Sequence, residues 1–109
     1  MTPILVVGST MLTFVRTVVA LPGHFFEVIA AGKEVAAIVK RLFDQEVSVC
    51  STLGGNLGEV SWIWQAASIE AEDEMDAKLM ADPDYQAVYK KFGPLLVPNA
   101  TYDRIYRHL

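Results

Sequence analysis

At His24 the hydrophobic spacing of this chain changes from that of a strand to that of a helix, and the same change recurs at Ser68. From Met11 to Ala20, Leu12, Phe14, Arg16 and Val18 alternate with Thr13, Val15, Thr17 and Val19, a period of two. Both sets are largely apolar, as expected of a strand inside a sheet. Leu21-Pro22-Gly23 ends it. Phe25, Val28, Ile29, Gly32, Ala36, Val39 and Phe43 then recur at three- and four-residue spacings, which predicts a helix over His24 to Phe43. Phe26, Ala31, Val35, Ile38 and Leu42 widen the stripe, so this helix is expected to be covered on more than one side.

The second half repeats the scheme. Gln45 to Leu53 reads as a strand with Val47, Val49 and Ser51 on one face. Gly54-Gly55-Asn56-Leu57-Gly58 is a hairpin turn, since Gly and Asn tolerate positive φ. It is not a phosphate loop, because no Gly-Lys-Ser/Thr follows and a strand comes next. That strand, Glu59 to Ala67, puts Trp62 and Trp64 on the same side. Ser68 can cap the following helix, whose first turns carry Glu70, Glu72, Asp73, Glu74 and Asp76. Ile69, Met75 and Leu79 mark its inner side. A proline inside a helix costs about 3 kcal/mol, so Pro83 predicts a fresh helical start capped by Asp82. Tyr85, Val88, Tyr89 and Phe92 form the apolar face of that segment, and Gly93-Pro94 stops it. Ala100 to His108 is the last strand, with Tyr102, Arg104, Tyr106 and His108 opposite Thr101, Asp103, Ile105 and Arg107.

The order is a doubled β-α-β unit. It predicts an α+β fold, the ferredoxin-like βαββαβ plait: a four-stranded antiparallel sheet with two helical regions on one face. Residues 11–109 form a single domain, and residues 1–10 are an N-terminal arm or an extra strand at Pro3-Ile4-Leu5-Val6-Val7. The second sheet face is expected to be apolar enough to need covering by a second copy, giving a homodimer. A hydrophobic content of 52% in 109 residues likewise points to a subunit interface or an apolar pocket.

A net charge of −4 without a cluster of Lys and Arg argues against nucleic acid. Residues 3–20 contain Arg16, follow no basic segment and are short for a bilayer, so neither a signal peptide nor a membrane span is expected. Cys50, the single cysteine, excludes an intrachain disulfide and fits a reducing, cytoplasmic setting; it is expected to be a small core residue. His24 and His108 are too few and too far apart for a metal centre, and no metal or bound cofactor is expected.

Several short motifs, in order, resemble the NIPSNAP family of the dimeric α/β-barrel superfamily, which also holds the antibiotic-biosynthesis monooxygenases. They are Arg16-Thr17, Pro22-Gly23, Leu53-Gly54, Trp64, Asp82-Pro83-Asp84-Tyr85 and Pro94-Leu95-Leu96. The likeness runs from about Met11 to Arg107. It implies a homodimer with facing sheets and a pocket in each subunit between sheet and helices. It brings no defined reaction. Haem-degrading members of the superfamily use a histidine in the second helical region, and residues 69–92 contain none.

Six residues are candidates for a ligand site: Arg16, His24, Trp62, Trp64, Tyr102 and Arg104. Trp62 and Trp64 are either core side chains or an aromatic pocket wall. Arg16, in a central strand, must find acceptors. It forms an ion pair, with Asp103 or with the other subunit, or it anchors an anionic or carbonyl-bearing ligand. His24 is an exposed or capping residue, or an acid or base at a pocket mouth. Tyr102, Arg104 and Tyr106 suit an interface or a polar aromatic substrate. The acidic run reads as a solvated helix start.

Two functions follow. One is a cofactor-independent enzyme, oxygenating or isomerising an aromatic or polyketide-like compound, with Trp64, Arg16 and a tyrosine holding it. The other is a non-catalytic binding or interaction module with a filled pocket. A ligand-sized cavity beside Trp64, with Arg16 or Tyr102 nearby, separates them.

Overall fold

Four strands and three helices follow the predicted order in a computed structural model that describes residues 11–109. The strands are β1 Leu12–Val19, β2 Ser48–Ser51, β3 Glu59–Ala66 and β4 Tyr102–Arg107. The helices are α1 Phe25–Phe43, α2 Ile69–Met80 and α3 Pro83–Phe92, the last running into a single 3₁₀ turn, Gly93–Leu95. The expected arm or strand at Pro3–Val7 lies outside the described residues. The strands form one antiparallel sheet in the order β2-β3-β1-β4. This is the ferredoxin-like α+β plait expected from the sequence.

Register fixes which side chains share a face. Arg16 stands opposite Trp62 on one neighbour and Asp103 on the other, while Phe14 stands opposite Trp64 and Ile105. This face meets the helices. Val18, Val60 and Trp62 pack there with Val28, Val35 and Val39 of α1 and Val88 and Phe92 of α3. Burying a side chain of this size is worth about 1.5–3 kcal/mol, so this cluster dominates the stability.

Helix α1 lies close to the sheet because residue 32 is glycine. A Cβ there would stand 3.2 Å from the Trp62 ring and 3.3 Å from Val49 Cγ1. The bare backbone also lets the Gly32 carbonyl accept the Trp62 indole N–H at 3.1 Å, satisfying a buried donor. The buried stripe runs through Val28, Ala31, Gly32, Val35, Ile38 and Val39, rotated from the predicted one. Phe26 is 81% exposed, so one side of α1 is left uncovered.

Pro83 opens α3, as predicted. The Asp82 side chain accepts from Tyr85 N at 3.0 Å, and α2 ends at Met80. Ser68 caps α2 by accepting from Ala71 N at 3.0 Å. Arg41, near the end of α1, lies 3.0 Å from Asp84 and 3.6 Å from Asp82, tying α3 to α1. After the 3₁₀ turn the chain returns to β1, where Leu96 bridges Ala20 and Val97 N donates to Val19 O at 2.7 Å.

Some expectations change. Strand β2 is shorter than Gln45–Leu53, because only four of its residues find partners on β3. Cys50 is exposed, not core: pairing with Ser61 turns it to the helix-free face. That face is mixed, not uniformly apolar. Register places Val15, Ile63, Tyr102 and Tyr106 there, among Thr13, Thr17, Ser61 and Arg104. Ile69 is 58% exposed, because α2 buries no residue fully. Beyond the end of β4, His108 Nε2 lies 2.7 Å from Thr13 Oγ1, a contact the sequence did not signal.

Candidate functional site

A cavity of about 340 Å³ lies between the sheet and the helices. It forms beside α2, which is polar along most of its length and buries no residue fully, whereas α1 and α3 send buried apolar side chains into the core. Its walls are apolar and aromatic, with Val18, Val39, Trp62, Trp64, Tyr89 and Phe92 among them. Its other end is polar and holds Arg16, Glu72, Asp76, Asp103 and the side chain of Tyr85. A second depression of about 200 Å³ adjoins it and shares Arg16, Trp64, Glu72, Asp76 and Asp103.

The two tryptophans, two residues apart on β3, play different parts. Trp62 is 6% exposed and bonded to α1, so it is a core residue that also backs the cavity. Trp64 is half-buried and stacks on Phe14, with ring centroids 5.7 Å apart and planes within 12°. Its indole N–H donates to Glu72 Oε1 at 2.6 Å, joining the sheet to α2.

Arg16 forms the ion pair with Asp103 that the sequence offered as one alternative. Its Nε donates to Asp103 Oδ1 at 2.8 Å and its Nη2 to Oδ2 at 3.0 Å, a bidentate fork. The hydrogen bonds from Arg16 hold the Asp103 carboxyl below the usual carboxylate range, and those to Asp103 hold the guanidinium above its ordinary value.

Glu72 behaves oppositely. Burial raises its carboxyl above the ordinary glutamate value, and nearby Asp76 adds to the rise. The Trp64 N–H and the Arg16 charge oppose it without cancelling it. Burial also raises the Tyr85 hydroxyl. A half-buried carboxyl shifted toward neutrality in a cleft is the usual setting of a general acid or base.

The other candidates lie elsewhere. Tyr102 reaches the cavity rim, but register turns its ring to the helix-free face, where the hydroxyl donates to Glu59 Oε2 at 3.3 Å. Arg104 lies on that same face, its guanidinium 5.6 Å from the centre of the Tyr102 ring. Neither shares a sheet face with Arg16 and Trp64. His24 occupies the N-cap position of α1 but makes no capping bond; its Nδ1 lies 2.7 Å from Glu27 Oε1. It is absent from the cavity wall. Glu72, Asp76 and Tyr85 were not candidates. The signal for Glu72 and Asp76 was their spacing at i, i+4, which puts both on one side of a helix, and that for Tyr85 was its place on the apolar face of the last helix. Among the described residues no group of three or more His, Cys, Asp and Glu is arranged to hold a metal ion. None of the described helices is long and apolar enough to cross a membrane.

No protein-family model matches this chain, and no curated protein matches it in sequence. Solved structures do match it. A NIPSNAP family protein from Agrobacterium tumefaciens superposes with a TM-score of 0.79 at 20% identity, over 93% of this chain and 88% of the other. An uncharacterized NIPSNAP-like domain protein from Burkholderia xenovorans gives 0.78 at 22% identity, over 92% and 86%. A candidate antibiotic biosynthesis monooxygenase from Chloroflexus aurantiacus gives 0.67 at 16% identity, over 92% and 94%. The chain therefore has the fold of the NIPSNAP proteins, and the resemblance read from its sequence motifs holds at the level of the fold.

Proposed function

We propose that this protein binds a small aromatic or polyketide-like molecule in the cavity between sheet and helices and transforms it without a bound cofactor. The observation that carries the reading is the cavity itself. Its volume of about 340 Å³ suits a molecule of one or two rings, and its apolar walls converge on a few polar groups. The filled-pocket form of the alternative, a non-catalytic module, needs a closed core here. Glu72, raised by burial, serves as the proton-transfer group, and the Tyr85 hydroxyl as a hydrogen-bonding partner for a substrate oxygen. Trp64 provides the stacking wall, and Arg16, held by Asp103, fixes the charge of the polar end. Proton transfer supports isomerisation directly. Oxygenation is open to a substrate that supplies its own electrons to dioxygen once deprotonated.

The reading includes a homodimer, joined through the helix-free sheet face, acting in the cytoplasm. Support comes from Tyr102 and Tyr106, 41% and 47% exposed beside Arg104, residue types enriched at interfaces. Light scattering after size exclusion tests the dimer, and a stable monomer at micromolar concentration would sink it. Mass spectrometry of small molecules released from the purified protein tests the site. Retention of an aromatic compound, lost in Trp64→Ala, is the expected result. The same compound retained undiminished in the variant would refute the site.

A further inference from the structure

We propose that the cavity prefers an arylalkylamine, protonated at neutral pH, over an arylalkanoic acid. This rests on the small-molecule reading above and adds the ligand's charge to it.

The polar end of the cavity holds one guanidinium and three carboxylates. The guanidinium is already matched. Arg16 directs Nε and Nη2 at the two oxygens of Asp103, at 2.8 and 3.0 Å. A ligand carboxylate would have to displace Asp103 from that fork, which fits it in geometry and charge, and would sit near Glu72 and Asp76. Among the described residues, an incoming anion therefore meets no free cation at this end.

An ammonium group meets three unused acceptors. Asp76, half-buried at the cavity edge, has no hydrogen bond or ion pair. Glu72 uses Oε1 on the Trp64 N–H and leaves Oε2 free. The Tyr85 hydroxyl, half-buried on α3, has no hydrogen-bond partner. The walls favour the same charge, because Trp62, Trp64, Tyr85, Tyr89 and Phe92 line the space and aromatic rings attract a cation over their faces. An ammonium group on an aromatic body would bring the cation to the carboxylates and the ring to the tryptophans. The sequence reading of Arg16 as an anchor for anions gives way to one in which Asp103 occupies that anchor.

Isothermal calorimetry with three probes of similar size decides it: 2-phenylethylamine, 2-phenylethanol and 3-phenylpropionate. The expected order of affinity is amine, alcohol, acid, with about tenfold between the first and the last, equivalent to ~1.4 kcal/mol. Asp76→Asn, at a half-buried position on a helix that buries no residue fully, should shrink the amine's advantage at least severalfold while the alcohol binds as before. Binding of the acid as tightly as the amine would overturn the charge preference and leave the aromatic site standing. An amine preference undiminished in Asp76→Asn would overturn the assignment to this end of the cavity. Failure of all three probes to bind would overturn both readings.

Discussion

Trp62 and Trp64 stand two residues apart on β3, point the same way and each donate an indole N–H, yet they belong to different halves of the molecule. Trp62 donates to a backbone carbonyl of α1, a helix that buries six of its residues. Trp64 donates to a side chain of α2, a helix that buries none. The first half of the doubled β-α-β unit is sealed and supplies the core. In the second, α3 adds Val88 and Phe92 to that core, but α2 buries no residue and the cavity opens beside it. Identical residues on one face thus divide into a fully buried and a half-buried member, according to which helix covers them.

The largest expected effect is the contrast between two truncations. Trp62→Ala removes a buried ring and leaves a hole among packed neighbours, which should cost about 3–5 kcal/mol in urea denaturation. Trp64→Ala removes a half-buried ring beside existing space and should cost about 1–2 kcal/mol. Equal losses would erase the distinction between the halves.

Gly32→Ala should destabilise next most. The added methyl stands 3.2 Å from a buried ring that has little room to yield, an overpacking cost of about 1–3 kcal/mol. Better helix propensity returns about 1 kcal/mol of it. A net gain in thermal stability would show that α1 is free to move off the sheet. Asp82→Ala should cost about 1 kcal/mol through the lost cap of α3. A change near zero would mean that Arg41 and the α1 contacts hold the restart by themselves.

The smallest effect is a pH dependence confined to the open half. The folded-state pKa of Glu72 is raised above 4.5 by burial. Its contribution to stability is therefore complete below that value and is lost as pH rises through the raised one. Asp76 and Asp103 reinforce the rise, and Arg16 and the Trp64 N–H oppose it. Glu72→Gln should remove this part of the profile, so the wild type should lose stability relative to the variant as pH rises above 4.5 through the raised value. Parallel profiles for the two proteins would contradict the burial of Glu72. Asp103 has the reverse sign, since its pKa is lowered from 3.8 by Arg16 and its contribution is lost as pH falls.

The sequence by itself determined what depends on neighbours along the chain. The change of period at His24 and Ser68 gave the order of elements. The cost of a proline inside a helix, with Asp82 ready to cap, gave the restart at Pro83. Alternation put Trp62 with Trp64, Phe14 with Arg16, and Tyr102 with Arg104. Alternation has a period but no sign, so it could not say which set faces the helices. Pairing across the sheet joined Arg16 and Trp64 to the face of Val18, Val60 and Trp62, and the packing of α1 and α3 on that face decided that it points inward while Tyr102 and Arg104 face away. The rotation of α2 belongs to the same class. A run of five acids has no apolar stripe strong enough to orient it, and the turning of Glu72 and Asp76 toward the cavity follows from where the ends of α2 attach to β3 and α3. Cys50 was misread for a like reason: in an edge strand, the side a residue shows is set by its partner Ser61 on β3, not by its own hydrophobicity.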